Sequence, residues 1–286
     1  MPYETVVKSA KEMTRFGEEN PMDFHKKIVL GQTGLEVGRL GIASGYGAPA
    51  EAIEEAFERG CNYFTWGTFI KGRMPGMKRA IQNIVGKGLR QDLVLAMFSY
   101  AHNPFLTEFF FLRGLKTLGI DHADILILGY CPQRPSQRVI DGAVRLKERG
   151  AVRYLGVSSH STKLFPLLAH ESIFDVFHVR YNPAHRGVEF KVFPYLAAEK
   201  KPGIVSFTAT RWGQLLRPEK APAGERPPTA ADCYRYALSN PFVNVCMVGA
   251  KNALQMRENL GALDEGPMDE GELSRMNRLG ERFREM

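Results

Sequence analysis

The chain has 286 residues and a formal charge of +7, with 44% hydrophobic, 10% aromatic and 24% charged residues, a composition that excludes a disordered or fibrous protein and leads to the expectation of a large packed core. No apolar stretch approaches the ~20 residues of a membrane helix, and residues 1–24 carry charges in place of an apolar signal core, so the reading is cytoplasmic with no membrane association. The positive charge forms no Lys/Arg run, and its densest excess lies at 200–226; this argues against a nucleic-acid partner and suits a phosphate-bearing small molecule.

Residues 1–26 read as an N-terminal extension. Next, 27–39 places Gly and Thr between two short apolar stretches, the pattern of a β-hairpin. From there, apolar strand-like runs at 40–44, 62–67, 93–100, 124–130, 152–158, 176–181, 203–209 and 243–249 alternate with helix-periodic segments. Those segments are 50–59, 76–85, 105–118, 137–147, 162–170, 191–200, 229–238 and 253–261. Near-continuous apolar strands joined by crossover helices specify a parallel sheet covered on its faces. Eight such units predict a single (β/α)8 TIM barrel over 27–265. The proline-rich stretch 217–228 reads as a long loop on the functional rim. Residues 266–286, with Leu273, Met276 and Leu279 at helical spacing, predict a C-terminal helix packed on the barrel.

A doubly wound dinucleotide-binding sheet is the rival architecture, and it should carry G-x-G-x-x-G after its first strand. Here that turn is Gly45-Tyr46-Gly47-Ala48-Pro49-Ala50, which lacks the third glycine, so the rival is set aside. Cys61, Cys131, Cys233 and Cys246 form no C-x-x-C pair and are read as reduced thiols. The histidines show no ligand spacing, so no metal site is expected.

The string GAVRYLGVSS, starting at Gly150, resembles the G-K-I-R-Y-I-G-V-S-N pattern of the aldo-keto reductases. GQTGLEVGRLG from Gly31 is similar to that family's opening hairpin and first strand, and LGIDHAD from Leu118 to its L-G-x-D-Y-I-D. Gly249-Ala250-Lys251 with Glu258-Asn259 resembles its closing cofactor motif. The resemblance implies a barrel that binds NADP(H) at its C-terminal rim. It also implies carbonyl reduction by a Tyr acid, a Lys and an Asp that lower its pKa, and a His that orients substrate. GCNYFTWG from Gly60 is similar to G-x-N-x-F-D-T-A, which puts Thr65 at the Asp position and Ile70 at the Tyr position. DLVLAMF from Asp92 puts Phe98 at the Lys position, and DILILG from Asp124 puts Gly129 at the His position. All four catalytic positions are changed. Replacing both members of a buried ion pair can be nearly neutral, whereas removing one strands a charge at about 3–5 kcal/mol. Thr65 and Phe98 fit a joint replacement, and ordinary carbonyl reduction is expected to be weak or absent.

The same resemblance implies a better preserved cofactor side. Ser158 and Ser159 stand at the carboxamide-binding Ser-Asn, His178 at a Gln, and Phe207 at the aromatic that stacks on nicotinamide. Thr208, Thr210, Arg211 and Gly213 lie in the loop that follows the pyrophosphate. Gly249, Ala250 and Lys251 precede a helix and offer backbone N–H groups and one cation to a phosphate, with Gln255 and Asn259 on one face of that helix toward the adenosine end. Against this stands a solvated Lys with two surface amides.

Tyr100 shares strand parity with Phe98 and is either a replacement acid or a rim aromatic; His160 is either a proton donor or a solvated rim residue. Cys131 is read as inert, Tyr46, Trp66 and Tyr130 as packing, and Lys71 and Arg73 as solvated or as a site for an anionic substrate. Three functions follow. One is an NADP(H)-dependent oxidoreductase with a rearranged donor. The second is a cofactor-binding pseudoenzyme that senses redox state or joins a protein partner. The third is a barrel whose rim takes another small-molecule ligand without redox chemistry.

Overall fold

The computed structural model describes residues 22–67, 74–196, 201–221 and 224–285. Ile28–Val29 (β1) and Glu36–Val37 (β2) form the antiparallel hairpin, with Ile28 opposite Val37. Leu30, in its turn, is fully buried. A Cβ added to Gly203 would lie 2.5 Å from Leu30 Cγ, so the hairpin closes the barrel's N-terminal end by seating Leu30 against a position that only glycine can fill.

The barrel consists of Leu40–Ile42 (β3), Tyr63–Gly67 (β4), Val94–Ser99 (β5), Ala123–Leu128 (β6), Val152–Ser159 (β7), Val176–Arg180 (β8), Gly203–Phe207 (β9) and Val245–Val248 (β10). Its strands follow chain order and close β10 on β3, with Cys246 beside Leu40 and Val248 beside Ile42. All six residues of β6 are buried, which is why these strands read as continuous apolar runs and not as alternation. Strand parity then separates two layers. Tyr63, Val94, Ala96, Ile125, Ile127, Val176, Val205 and Val245 fill the interior with Leu30. Phe64, Leu95, Met97, Leu126 and Phe177 face the helices.

The surrounding helices are Ala50–Glu58 (α1), Pro75–Gly86 (α2), Pro104–Leu118 (α3), Gln137–Glu148 (α4), Leu164–Glu171 (α5), Gly187–Lys191 (α6), Ala230–Leu238 (α7) and Ala253–Glu265 (α8). Helix α3 illustrates the local logic. The Asn103 side chain accepts the Leu106 N–H, Pro104 opens the first turn, and Gly119 at φ 74° ends the helix. The helix expected at 191–200 is corrected: α6 comes earlier and is short, followed by one 3-10 turn at Phe193–Tyr195. Val192 leaves helical geometry at φ −126°, and Pro194 lacks the N–H needed to continue a helix. Residues 197–200 lie outside the described residues.

Two buried polar side chains pin the N-terminal end. The Asn62 carbonyl accepts the Gly38 N–H at 2.9 Å, while its amide donates to Glu36 O and Asp92 O, both at 2.9 Å. Asp124 accepts from Arg90 at 3.0 Å, from the Leu95 N–H at 2.9 Å and from Arg153 at 3.2 Å. The last helix, Glu270–Glu285 (α9), seats Met276, Leu279 and Phe283 in the core. Its Glu272 takes both terminal nitrogens of the buried Arg235 on α7, at 2.7 and 2.9 Å. Among the described residues no helix is long and apolar enough to cross a membrane.

Candidate active site at the barrel mouth

At the C-terminal ends of the strands the inward positions stop being aliphatic. Thr65 and Gly67 end β4, Phe98 ends β5, Ser158 ends β7, His178 and Arg180 end β8, and Phe207 ends β9. Most of them line a cavity of about 300 Å³ that opens to solvent past Tyr46, Tyr100, Tyr130, His160 and Trp212. Its size and its mixture of apolar walls with a few polar groups suit a small-molecule site.

The floor is a neutral pair. Tyr63 Oη and His178 Nε2 lie 2.8 Å apart in the barrel interior, and burial holds the His178 imidazole down at about 3. Phe98 meets the His178 ring edge to face, with centroids 5.2 Å apart at 87°. Thr65 is buried, and its hydroxyl accepts the Ser44 N–H at 3.2 Å, which fastens the end of β3 to β4. No ionised group remains between these side chains.

Above Phe98 lies Tyr100, stacked at 5.8 Å and 22°. A Cβ on Gly129 would fall 2.8 Å from Tyr100 Cε1 and 3.2 Å from Phe98 Cδ1, and one on Gly67 would lie 4.0 Å from the Tyr100 hydroxyl. The phenol thus spans the mouth across two glycines. Burial, and then the neighbouring Tyr46 phenol, push the Tyr100 pKa above its ordinary value.

The opposite wall is aromatic. His160 meets Phe207 edge to face at 5.2 Å, lies nearly parallel to Trp212 at 6.4 Å, and contacts Tyr130 at 6.2 Å. Burial and the Arg180 charge push the His160 imidazole below its usual range. Tyr130, Thr208, Arg211 and Trp212 all have φ between 49° and 59°, a left-handed conformation that costs a non-glycine residue about 1–2 kcal/mol. Such strain concentrates where a loop must hold a fixed shape for function. Arg180 is half-buried and ion-pairs with no carboxylate among the described residues; burial and the Arg211 charge lower its pKa.

No family model and no curated protein matches the sequence. Among solved structures, the holo form of an aldo-keto reductase from Bacillus halodurans matches at TM-score 0.73 and 22% identity, over 89% of this chain and 96% of that one. Its apo form gives 0.70 at 22% identity over 89% and 95%. A thermostable aldo-keto reductase solved with the inhibitor epalrestat gives 0.68 at 20% identity over 89% and 99%. The chain has the aldo-keto reductase fold.

Placed on that fold, the sequence-derived positions separate into three groups. Thr65, Phe98, Tyr100, Ser158, His160, His178, Phe207, Thr208 and Gly249 converge on the mouth, with Gly129 directly beneath the Tyr100 ring. β6 carries no bulge, so Gly129 keeps the inward position, and Tyr130, at φ 55°, sits at the rim of the cavity. A second group is committed elsewhere. The buried Ser159 hydroxyl donates to Cys131 O at 2.5 Å and accepts the Ser161 N–H at 2.9 Å. The Thr210 hydroxyl accepts the Gly213 N–H, and Arg211 donates to Phe283 O at 2.8 Å, near the C-terminal end of α9. Asn259 is buried and donates to Gly249 O at 3.3 Å, while Gln255 accepts the Lys251 N–H at 3.0 Å. Lys251 itself is exposed and Ala250 buried. The third group, Ile70, Lys71 and Arg73, lies outside the described residues.

Sequence reasoning missed Arg180 and Trp212 and undervalued Tyr46. Arg180 is two residues beyond His178, so period-2 parity already aims it at the same end. Tyr46 sits between Gly45 and Gly47, at φ 88° and 104°, and its ring lies 2.6 Å from an ideal Cβ on Gly249. Cys131 borders a separate cavity of about 330 Å³ on the α4 side of the barrel. Burial pushes its thiol up to about 11, which leaves it unreactive as a nucleophile. Among the described residues no cluster of His, Cys, Asp or Glu could hold a metal ion.

Proposed function

We propose that this protein is an aldo-keto-reductase-like, NADP(H)-binding oxidoreductase with a rearranged active site that reduces ordinary carbonyls weakly or not at all. The observation that carries the reading is the make-up of the mouth. Phe207, half-buried, and Ser158 line the same cavity, and the half-buried Arg180, which borders the adjoining pocket beside His160, is repelled by Arg211 and offset by no described carboxylate. An unbalanced guanidinium at the edge of an aromatic slot fits a planar ring attached to a polyanion.

In this reading Phe207 carries the nicotinamide, Ser158 meets its carboxamide, the backbone of the strained loop 208–213 follows the pyrophosphate, and exposed Lys251 takes a 2′-phosphate. Bound there, the reduced cofactor would supply two electrons and one hydrogen to a carbonyl carbon. The chain's own part is to hold that carbonyl among aromatic walls, to exclude water beneath it with the Phe98, His178 and Tyr63 stack, and to stabilise the oxygen. With Thr65 fastened to Ser44 and Phe98 apolar, no ammonium lowers a donor's pKa, which removes much of the transition-state stabilisation that fixed charges supply. The reading keeps the cytoplasm as compartment, in line with four free, buried thiols.

Fluorescence titration with NADPH and NADH tests the reading. NADPH should bind more tightly, and Lys251→Glu should abolish the preference while leaving NADH binding nearly unchanged. Absence of binding by either nucleotide at millimolar concentration refutes it. The pseudoenzyme alternative rests on the apolar floor, and it gains if NADPH binds but no carbonyl is turned over.

A further inference from the structure

We propose that the Tyr100 hydroxyl is the proton donor of this site, delivered from the end of β5 to the oxygen of an aromatic aldehyde or ketone held in the mouth. The proposal rests on the cofactor reading above for the reduction step and on geometry alone for the hydrogen bond. Tyr100 occupies the wall where the aldo-keto reductase resemblance expects charged groups. Its ring stacks on Phe98 and fills the space that a side chain at Gly129 would need, with Cε1 2.8 Å from an ideal Cβ there. Two of the four catalytic positions are therefore occupied by, or packed against, one phenol.

The other donors at the mouth are less well placed. Tyr130 is 68% exposed at the rim of the cavity. His160 is held on the opposite wall between Phe207 and Trp212 and is kept neutral by burial and by Arg180. Tyr100 is protonated at neutral pH, as an acid must be. The walls set the substrate class: Tyr46, Phe98, Tyr130, Phe207 and Trp212 line the cavity with aromatic rings, a surface that suits a planar aromatic group.

The step balances. The carbonyl carbon gains a C–H bond with two electrons from the reduced dinucleotide, the C=O π pair moves to oxygen, and the Tyr100 O–H breaks as the product O–H forms. The phenolate is reprotonated by water at the open mouth. The dinucleotide is oxidised by two electrons and the carbonyl reduced to an alcohol. A phenol with a raised pKa is a weak acid, so electron-poor aromatic aldehydes should react and plain ketones should not.

Two measurements test this. Without nucleotide, 4-dimethylaminobenzaldehyde should bind with its absorption shifted to the red, because its carbonyl accepts a hydrogen bond. Tyr100→Phe keeps the ring and should bind the probe within about threefold but lose the shift, and Gly129→Ala, which pushes the ring aside, should weaken it. With NADPH bound and 4-nitrobenzaldehyde as substrate, Tyr100→Phe should lower kcat roughly 100-fold, within the usual worth of a general acid, at unchanged NADPH affinity. The wild-type rate should stay flat from pH 6 to 9, because a phenol donor is lost only above its raised pKa. A shift retained in Tyr100→Phe, a rate that falls as pH rises through the imidazole range, or NADPH binding with no turnover of the nitro compound overturns the assignment. Failure to bind NADPH overturns the cofactor reading and the reduction step with it, while the probe's shift reports separately on the Tyr100 hydrogen bond.

Discussion

The packing of Tyr100 over Gly129 predicts a change of sign that a thermodynamic cycle can read. Gly129 has no positive φ, so alanine is allowed by the backbone there. Losing the unfolded-state freedom of glycine should by itself stabilise the protein by about 0.4–1 kcal/mol. The added methyl would sit 2.8 and 2.9 Å from Tyr100 Cε1 and Cδ1 and 3.2 Å from Phe98 Cδ1, distances at which two stacked rings must move. Overpacking of this kind costs about 1–3 kcal/mol. Gly129→Ala should therefore destabilise the wild type by about 0.5–2 kcal/mol. In a Tyr100→Ala background the same change should stabilise the protein, giving a coupling of about 1–3 kcal/mol. Urea unfolding of the four proteins, compared at equal m values, measures it. Effects that add within about 0.3–0.5 kcal/mol, the behaviour of independent sites, would refute the placement of the ring.

Other perturbations address the scaffold. Asp124→Ala strands Arg90 in a mostly buried setting and should cost about 3–5 kcal/mol in chemical denaturation; a loss under 1 kcal/mol would mean that the pair is solvated. Asn62→Ala leaves the Gly38 N–H and two carbonyls without their partner, for an expected loss of about 2–3 kcal/mol without a change in NADPH affinity. His178, held at about 3 by burial, stays neutral in the folded chain, whereas the unfolded imidazole takes its proton near 6.5. Stability should fall as pH drops from about 6.5 toward 3, by up to about 1.4 kcal/mol per pH unit from this group. Thermal unfolding of His178→Gln should show a shallower acid limb, and identical limbs would count against a buried neutral imidazole.

The barrel was legible because its signals are local and redundant. Eight apolar runs, each too continuous for a half-exposed strand, alternate with crossover helices, and the C-terminal pattern survives on α9 as buried Met276 and Leu279 with Leu273 partly buried against the same core. Where the reading failed, two residues overruled a periodic segment: Pro194 and the non-helical Val192 shorten the crossover after β8. The family resemblance pointed to Phe98 and Ser158, which line one cavity, and to Gly129, which packs against the Tyr100 ring. It gave no account of hydrogen-bond partners, because Ser159, Thr210, Gln255 and Asn259 look available in sequence and are engaged by backbone groups in space. Tyr46 and Trp212 gave no periodic signal at all, since the loops that carry them take their shape from left-handed residues and not from burial.

The residues at the four positions singled out by the family resemblance make physical sense only as a set. An ammonium at 98 would stand against the neutral His178 ring and beneath the Tyr100 ring, with Thr65 in place of its carboxylate partner. It would be a buried unpaired charge and would shed its proton. A side chain at 129 has no room while the Tyr100 ring is in place. Introducing the groups that the resemblance expects one at a time should therefore destabilise the fold without giving carbonyl reduction, and a histidine at 129 requires that Tyr100 leave first. The phenol at the mouth and the apolar floor beneath it depend on each other: the floor removes the charges that would otherwise need pairing, and the absent side chain at Gly129 gives the ring its place.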